Sequence, residues 1–307
     1  MDNFMLFQVE ESEINFRLDK YLFYKLEELS FSRSFIQKLI KDKFVLVDKK
    51  EVKSNCKLKL GQKIEITIPE PEEVEILPEN IPLDILYEDS DLLIVNKPKD
   101  MVVHPSPGHV TGTLVNAVMY HCKDSLSGIN GEIRPGIVHR IDKDTTGSLI
   151  VCKNDETHTA IAEQIKVHSV KRIYRGIVSG HLREPEGRVE GDIGRHPADR
   201  KKMAVVPSGK NALTHYRVIR EFPNASYMEF QLETGRTHQI RVHMASIGHP
   251  LMGDILYGNP KNPYHLQGQA LHAMTIGFIH PRTGQYMEFS APLPDYFEKL
   301  LVKLDRT

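Results

Sequence analysis

The chain contains no tryptophan and only three cysteines, Cys56, Cys122 and Cys152, in 307 residues. The cysteines are scattered, with no C-x-x-C pair. That argues against a disulfide framework and against a zinc site, and it fits a reducing compartment. No run of about 18 apolar residues occurs, so no membrane span is expected. MDNFMLFQVEESEINF at the N-terminus carries early acids and lacks a basic stretch followed by a long apolar one. A signal peptide is therefore not expected, and a cytoplasmic location is. G-x-G-x-x-G, G-x-x-x-x-G-K-[ST] and H-E-x-x-H are all missing, so a nucleotide cofactor has no support and neither does a zinc-protease centre. Basic residues are missing from one whole window. Ile64 to Asp91 holds ten acids and no Lys or Arg, whereas Arg33 to Lys63 holds ten Lys/Arg against three Asp/Glu. A net charge of −1 hides this asymmetry. Phosphate contact needs only such a local basic patch, although a solvated surface stretch has the same composition.

What is present divides into three parts. Residues 1–68 read as a small α+β module. Leu18, Leu22, Leu26 and Leu29 recur at helical spacing, as do Phe35, Ile36, Leu39 and Ile40 behind a Ser32 or Ser34 cap. FVLVDKKEV reads as a strand with a polar turn, and KLKLGQKIEITI turns at Gly61 into an alternating strand. Residues 69–84, PEPEEVEILPENIPLD, are Pro- and Glu-rich and read as a linker. From residue 85 to 307 many short strand-like runs follow, with helices expected over 156–166 and 113–121. The fold class is α+β: the small N-terminal domain, then a domain on a mixed, mainly antiparallel sheet with flanking helices.

Two polar clusters carry the candidate chemistry. HRIDKDTTG, His139 to Gly147, lies between the apolar GIV and SLIVCK, both strand-like. A calcium loop starting at Asp142 would have Asp144 and Gly147 in place, but Thr146 at position five and Lys153 at position twelve, where a bidentate Glu is needed. That defeats the calcium reading. A solvated turn and a catalytic carboxylate on a rigid turn both stay open. TGRTHQIRVHM, Thr234 to Met244, has two arginines and two histidines. His238 and His243 are five apart, on opposite faces of a strand and about 140° apart on a helix, which disfavours a shared metal. An arginine from this segment beside Asp142 would favour the charged carboxylate, the form a nucleophile or base needs.

RLDKYL and SRSFIQKLIKDKFVLV resemble the S-four type RNA-binding domain. HRIDKDTTG resembles the H-R-L-D-x-x-T-S-G motif of the RluA/RluD family of pseudouridine synthases, with Ile141 for Leu and Thr146 for Ser. YEDSDLLIVNKPKDMVVHP is similar to that family's opening motif. KRIYRGIVSG resembles K-x-Y-x-A-x-V with Gly176 for Ala, and TGRTHQIRVHMASIGHPLMGDILYG resembles the last motif, continued by HAMTIGFIHPRTG.

The resemblance implies a cofactor-free isomerase that turns specific uridines of RNA into pseudouridine after flipping the base. The expected RNA is large-subunit ribosomal RNA, with transfer RNA as the alternative. A non-catalytic assembly factor on the same fold and a glycosidase that releases uracil are the competing functions. The resemblance makes Asp142 the catalytic carboxylate, paired with Arg241, with Tyr174 stacking on the uracil and Ile240 packing on its other side. Arg140 is expected to fill the gap left by the flipped base, with His139 and Arg236 also at the substrate. Arg33, Lys38, Lys41 and Lys43 are the expected RNA contacts of the first domain. Lys171, Arg172, Arg175, Arg200, Lys201 and Lys202 are open between phosphate contacts and solvated charges. A monomer is expected.

Overall fold

The structure is a computed structural model that describes residues 4–26, 33–68, 76–105, 109–123, 126–127 and 135–306. Leu29, Ser32 and the side chains of Arg33 and Ser34 lie outside the described residues. The chain forms two compact units, Met1–Val74 and Glu75–Thr307.

Unit one contains β1 (Phe4–Gln8), α1 (Leu18–Lys25), α2 (Arg33–Lys41), β2 (Val45–Val47), β3 (Lys50–Glu51) and β4 (Lys63–Thr67). Its antiparallel sheet runs β1-β4-β2-β3. The helical stripes do what their spacing predicts: Leu18, Leu22 and Leu26 meet Ile36, Leu39 and Ile40 over Val45, Val47, Ile64 and Ile66, all buried. Each such Leu or Ile contributes about 1.5–3 kcal/mol relative to exposure. Asp48 and Lys49, both at positive φ, make the tight turn that joins β2 to β3. β1 is not evident in the sequence, because FMLF is apolar on both faces: Phe4 and Leu6 stay exposed while Met5 and Phe7 pack inward. Asp19 of RLDKYL is fully buried. Arg17 donates to both its oxygens at 3.0 Å, and Gln37 Nε2 of α2 donates at 2.9 Å.

Unit two contains β5 (Ile85–Glu88), β6 (Leu92–Lys97), α3 (Leu114–Cys122), β7 (Thr146–Cys152), α4 (Asp155–Lys166), β8 (Lys171–Ser179), β9 (Glu186–Glu190), β10 (Ile193–Arg195), β11 (Met203–Val205), β12 (Leu213–Phe222), β13 (Ala225–Leu232), α5 (Gln239–Ser246), β14 (Leu271–Ile279), β15 (Tyr286–Ser290) and α6 (Asp295–Leu304). The main sheet runs β5-β6-β7-β14-β8-β13-β12-β9, with β15 on β14. Its pairings are antiparallel except for the short parallel contact of β7 with β14, so the sheet is mixed and mainly antiparallel as expected.

Two readings are corrected. GIV is not a strand: Ile137 makes an isolated bridge to Val151. The second half of the segment read as a linker is no free spacer either. Ile76 is buried in the core of unit two, Ile81 and Leu83 pack on that core, and Asn116 Nδ2 donates to the Leu77 carbonyl at 2.8 Å. A few aliphatic anchors among the prolines and acids outweigh the composition.

Candidate active site

One cavity of about 550 Å³ brings together Asp142, Arg241, Tyr174, Arg140, Ile240, Arg236 and His139. Lys38, Lys41 and Lys43 are exposed residues of unit one, and Lys43 is paired with Glu51 at 2.9 Å.

Asp142 sits on a tight turn, closed by the Thr145 N–H donating to the Asp142 carbonyl at 3.0 Å. The next residue is pinned from behind. Lys97, fully buried, donates to the carbonyls of Pro98, Met101 and Lys143 at 2.7, 2.9 and 3.0 Å. Burial pushes the Lys97 pKa down to about 7, against the pull of Asp144 and Asp142. The three carbonyls take the three N–H bonds of an ammonium. Gly147, at φ +112°, closes the motif where β7 approaches β14. A Cβ there would lie 2.1 Å from the Ala273 carbonyl oxygen, so no other residue fits. Beside it Thr146 Oγ1 bonds His272 Nδ1 at 2.8 Å, and Ser148 Oγ donates to the Ala273 carbonyl at 2.8 Å.

TGRTHQIRVHM forms a loop and then α5. Gln239 organises it. Its Oε1 accepts from Thr234 Oγ1 and the Arg236 N–H, and its Nε2 donates to the Leu213 carbonyl and Thr214 Oγ1. His243 bonds Thr214 Oγ1 and the Gly191 carbonyl. Arg241 projects from α5 and bridges two carboxylates. Nη1 donates to Asp142 Oδ2 at 2.9 Å, while Nε and Nη2 donate to Asp254 Oδ2 and Oδ1 at 2.7 and 3.0 Å. Burial opposes the Arg241 charge, but the bonds to Asp254 and Asp142 outweigh it and raise its pKa. Its guanidinium also lies over the Tyr257 ring, 5.1 Å from the centroid.

Asp254 is the group the sequence reading missed. It is fully buried, and its Oδ1 also accepts from the Leu256 and Tyr257 N–H groups. The residue stands in the quoted GHPLMGDILYG, but nothing in the spacing ties it to Arg241. Tyr257 was missed as well. Its hydroxyl accepts from the Met203 N–H at 2.8 Å and meets His238 Nδ1 at 2.8 Å. His238 Nε2 faces Asp142 Oδ1 at 3.9 Å. Burial lowers the His238 pKa, opposed by Asp142.

Tyr174 and Ile240 belong to one buried apolar cluster and both line the cavity. Burial raises the Tyr174 pKa, so the group there at neutral pH is a phenol. His139 uses Nε2 to accept from the Ile150 N–H at 3.0 Å, and burial holds it neutral, with a pKa down to about 3. Arg140 is exposed at the cavity, and Arg236 is tied through Nε to the Asn211 carbonyl. Gly176 has a packing reason, since a Cβ would come within 2.8 Å of the Phe230 ring and 3.0 Å of Leu251.

Residues 91–246 match the family model of RNA pseudouridylate synthase. The chain is 50% identical over 294 residues to the RNA pseudouridine synthase YlyB of Bacillus subtilis, covering 96% of each. The chain belongs to the RluA/RluD family of RNA pseudouridine synthases. Ribosomal large subunit pseudouridine synthase D of Zymomonas mobilis is 50% identical over 250 residues, 78% of each chain. The enzyme of that name from Pasteurella multocida is 41% identical over 312 residues, 97% of this chain and 94% of its own. Human RNA Pseudouridylate Synthase Domain Containing 1 shares the fold, with TM-score 0.57 and 24% identity over 78% of this chain and 98% of that one. Among the described residues no helix is long and apolar enough to cross a membrane.

Proposed function

We propose that this pseudouridine synthase acts on uridines of large-subunit ribosomal RNA and that Asp142 is its catalytic carboxylate. The observation that carries the assignment is the aim of Arg241, fixed by Asp254 on one side and donating to Asp142 on the other. A carboxylate held this way is presented at a set position. The relatives named for the large ribosomal subunit support the choice of RNA.

In the reaction the bond from C1′ to N1 of uracil breaks, the ring turns, and C1′ bonds C5. The C5 proton leaves and N1 gains one, so no redox partner is needed. Asp142 starts this in one of two ways: attack on C1′, or removal of the 2′ proton to give a glycal. The flipped uracil stacks on the Tyr174 ring with Ile240 opposite, and Arg140 enters the space the base vacates. Stacking contributes about 1–3 kcal/mol per base, against a flipping cost of about a few kcal/mol. His139 and Arg236 complete the wall around the nucleotide. Unit one, with exposed Lys38 and Lys41 and with Arg33 and Lys43, serves as the S-four type domain that holds the RNA backbone.

The test is tritium release from ribosomal RNA transcribed with uridine labelled at C5. Wild type releases label and Asp142→Asn does not. Release by Asp142→Asn sinks the catalytic assignment. No release from ribosomal RNA but release from transfer RNA moves the substrate, and no release from either leaves the assembly-factor reading. Free uracil in the products would make the enzyme a glycosidase.

A further inference from the structure

Arg172 lies on β8 two residues before Tyr174, so both side chains leave the same face of the strand. It lines the cavity and is only 7% exposed, the same as Arg241. The two arginines differ in what they hold. Arg241 has two carboxylates. Among the described residues Arg172 has none: Nη2 donates to the Glu233 carbonyl at 2.9 Å, and Nε has no partner. The backbone keeps room for this guanidinium, since a Cβ on Gly235 would lie 2.7 Å from Nη1. Burial lowers the Arg172 pKa. A buried cation without a counter-charge is costly, and the cost is relieved when an anion arrives.

We propose that Arg172 binds a phosphodiester oxygen of the RNA segment that enters the cavity. The inference rests on the RNA reading above. A guanidinium fork matches a phosphate's oxygens, and a phosphate supplies the missing charge, which a neutral uracil carbonyl does not. The rest of the wall suits a polyanion: Arg140, Lys166, Arg236 and Arg241 line it with Arg172, against Asp142 as its one carboxylate among the described residues.

The experiment measures binding of unmodified large-subunit ribosomal RNA transcripts by the full chain across a salt series. Wild type is compared with Arg172→Gln and Arg172→Lys, and thermal unfolding checks each variant. Arg172→Gln is expected to bind about ten- to hundredfold more weakly and to flatten the plot of log affinity against log salt by about one unit. Arg172→Lys keeps most of the slope. If Gln at this position unfolds the protein, wild type and the Lys variant are compared on RNA with single methylphosphonates. One position must then weaken wild type more than the variant. An unchanged slope, or methylphosphonates that weaken both proteins equally, overturns the proposal. So does an unchanged slope with cytidine accepted in place of uridine, which would make Arg172 a reader of the base. Binding is read separately from tritium release, so a wild type that binds but converts no uridine fails the catalytic reading and leaves this one standing.

Discussion

Each unit keeps a fully buried aspartate clamped by an arginine through two hydrogen bonds: Asp19 by Arg17, and Asp254 by Arg241. The clamps look alike and do different things. Arg17 is 43% exposed, and Asp19 also accepts from Gln37 of α2, so that clamp ties α1 to α2 within unit one. Arg241 is buried, and its remaining nitrogen reaches Asp142, whose side chain is 20% exposed to the cavity. A local fork between i and i+2 fixes a corner of the fold. A fork between distant segments, with one donor left over, transmits rigidity to a carboxylate that can react.

The comparison is broken most severely at its reactive end. Asp142→Asn removes the anion and leaves its hydrogen bond. Tritium release should fall by about 10²–10⁴-fold or more while the thermal midpoint stays near wild type. Equal loss in both would mean Asp142 is structural. Next comes Asp254→Ala, which leaves the buried guanidinium with Asp142 alone and should destabilise by about 3–5 kcal/mol in denaturant melts. The double change Arg241→Met with Asp254→Leu sharpens the contrast, since it should recover most of that stability and none of the activity. Asp19→Ala should cost stability too, yet leave turnover on a short fragment of the modified RNA within about threefold once folded protein is compared. Turnover that falls with Asp19→Ala as it does with Asp254→Ala would erase the distinction.

A smaller effect concerns pH. His139 is neutral in the fold with a pKa near 3, whereas an unfolded histidine titrates near 6.5. The unfolded chain therefore binds the proton first. Stability is complete above pH 6.5 and drains as the pH falls toward 3. Melts between pH 7 and 4 should show the decline, and His139→Gln should make it shallower. The smallest effect is at Lys38 and Lys41. Replacing both by Gln should leave turnover of a saturating substrate unchanged and flatten the salt dependence of RNA binding by up to about two units.

Much of this was legible beforehand. The helical stripes of unit one and most strands of the main sheet follow from periodicity, and the meeting of Asp142 with Arg241 from the family resemblance. What was not legible has physical reasons. Asp254 is 112 positions from Asp142 and reaches it only through Arg241, a relation that has no sequence period. α5 hides because its segment is rich in residues that face polar partners inside, Gln239, Arg241 and His243, so no apolar stripe marks it. β5 and the strands from β9 to β11 are short or carry little alternation. α6 was overlooked although Phe297, Leu300 and Leu304 do form a buried stripe.

The place of β14 has a further consequence. Among the described residues it alone joins β5-β6-β7 to β8-β13-β12-β9 in the main sheet, and Thr146 and Gly147, which end the motif of Asp142, pair with it. The ribosome makes β14 after every other strand of that path, so a nascent chain holds two half-sheets whose seam is empty. The sheet that carries the motif of Asp142 can therefore close only late in translation.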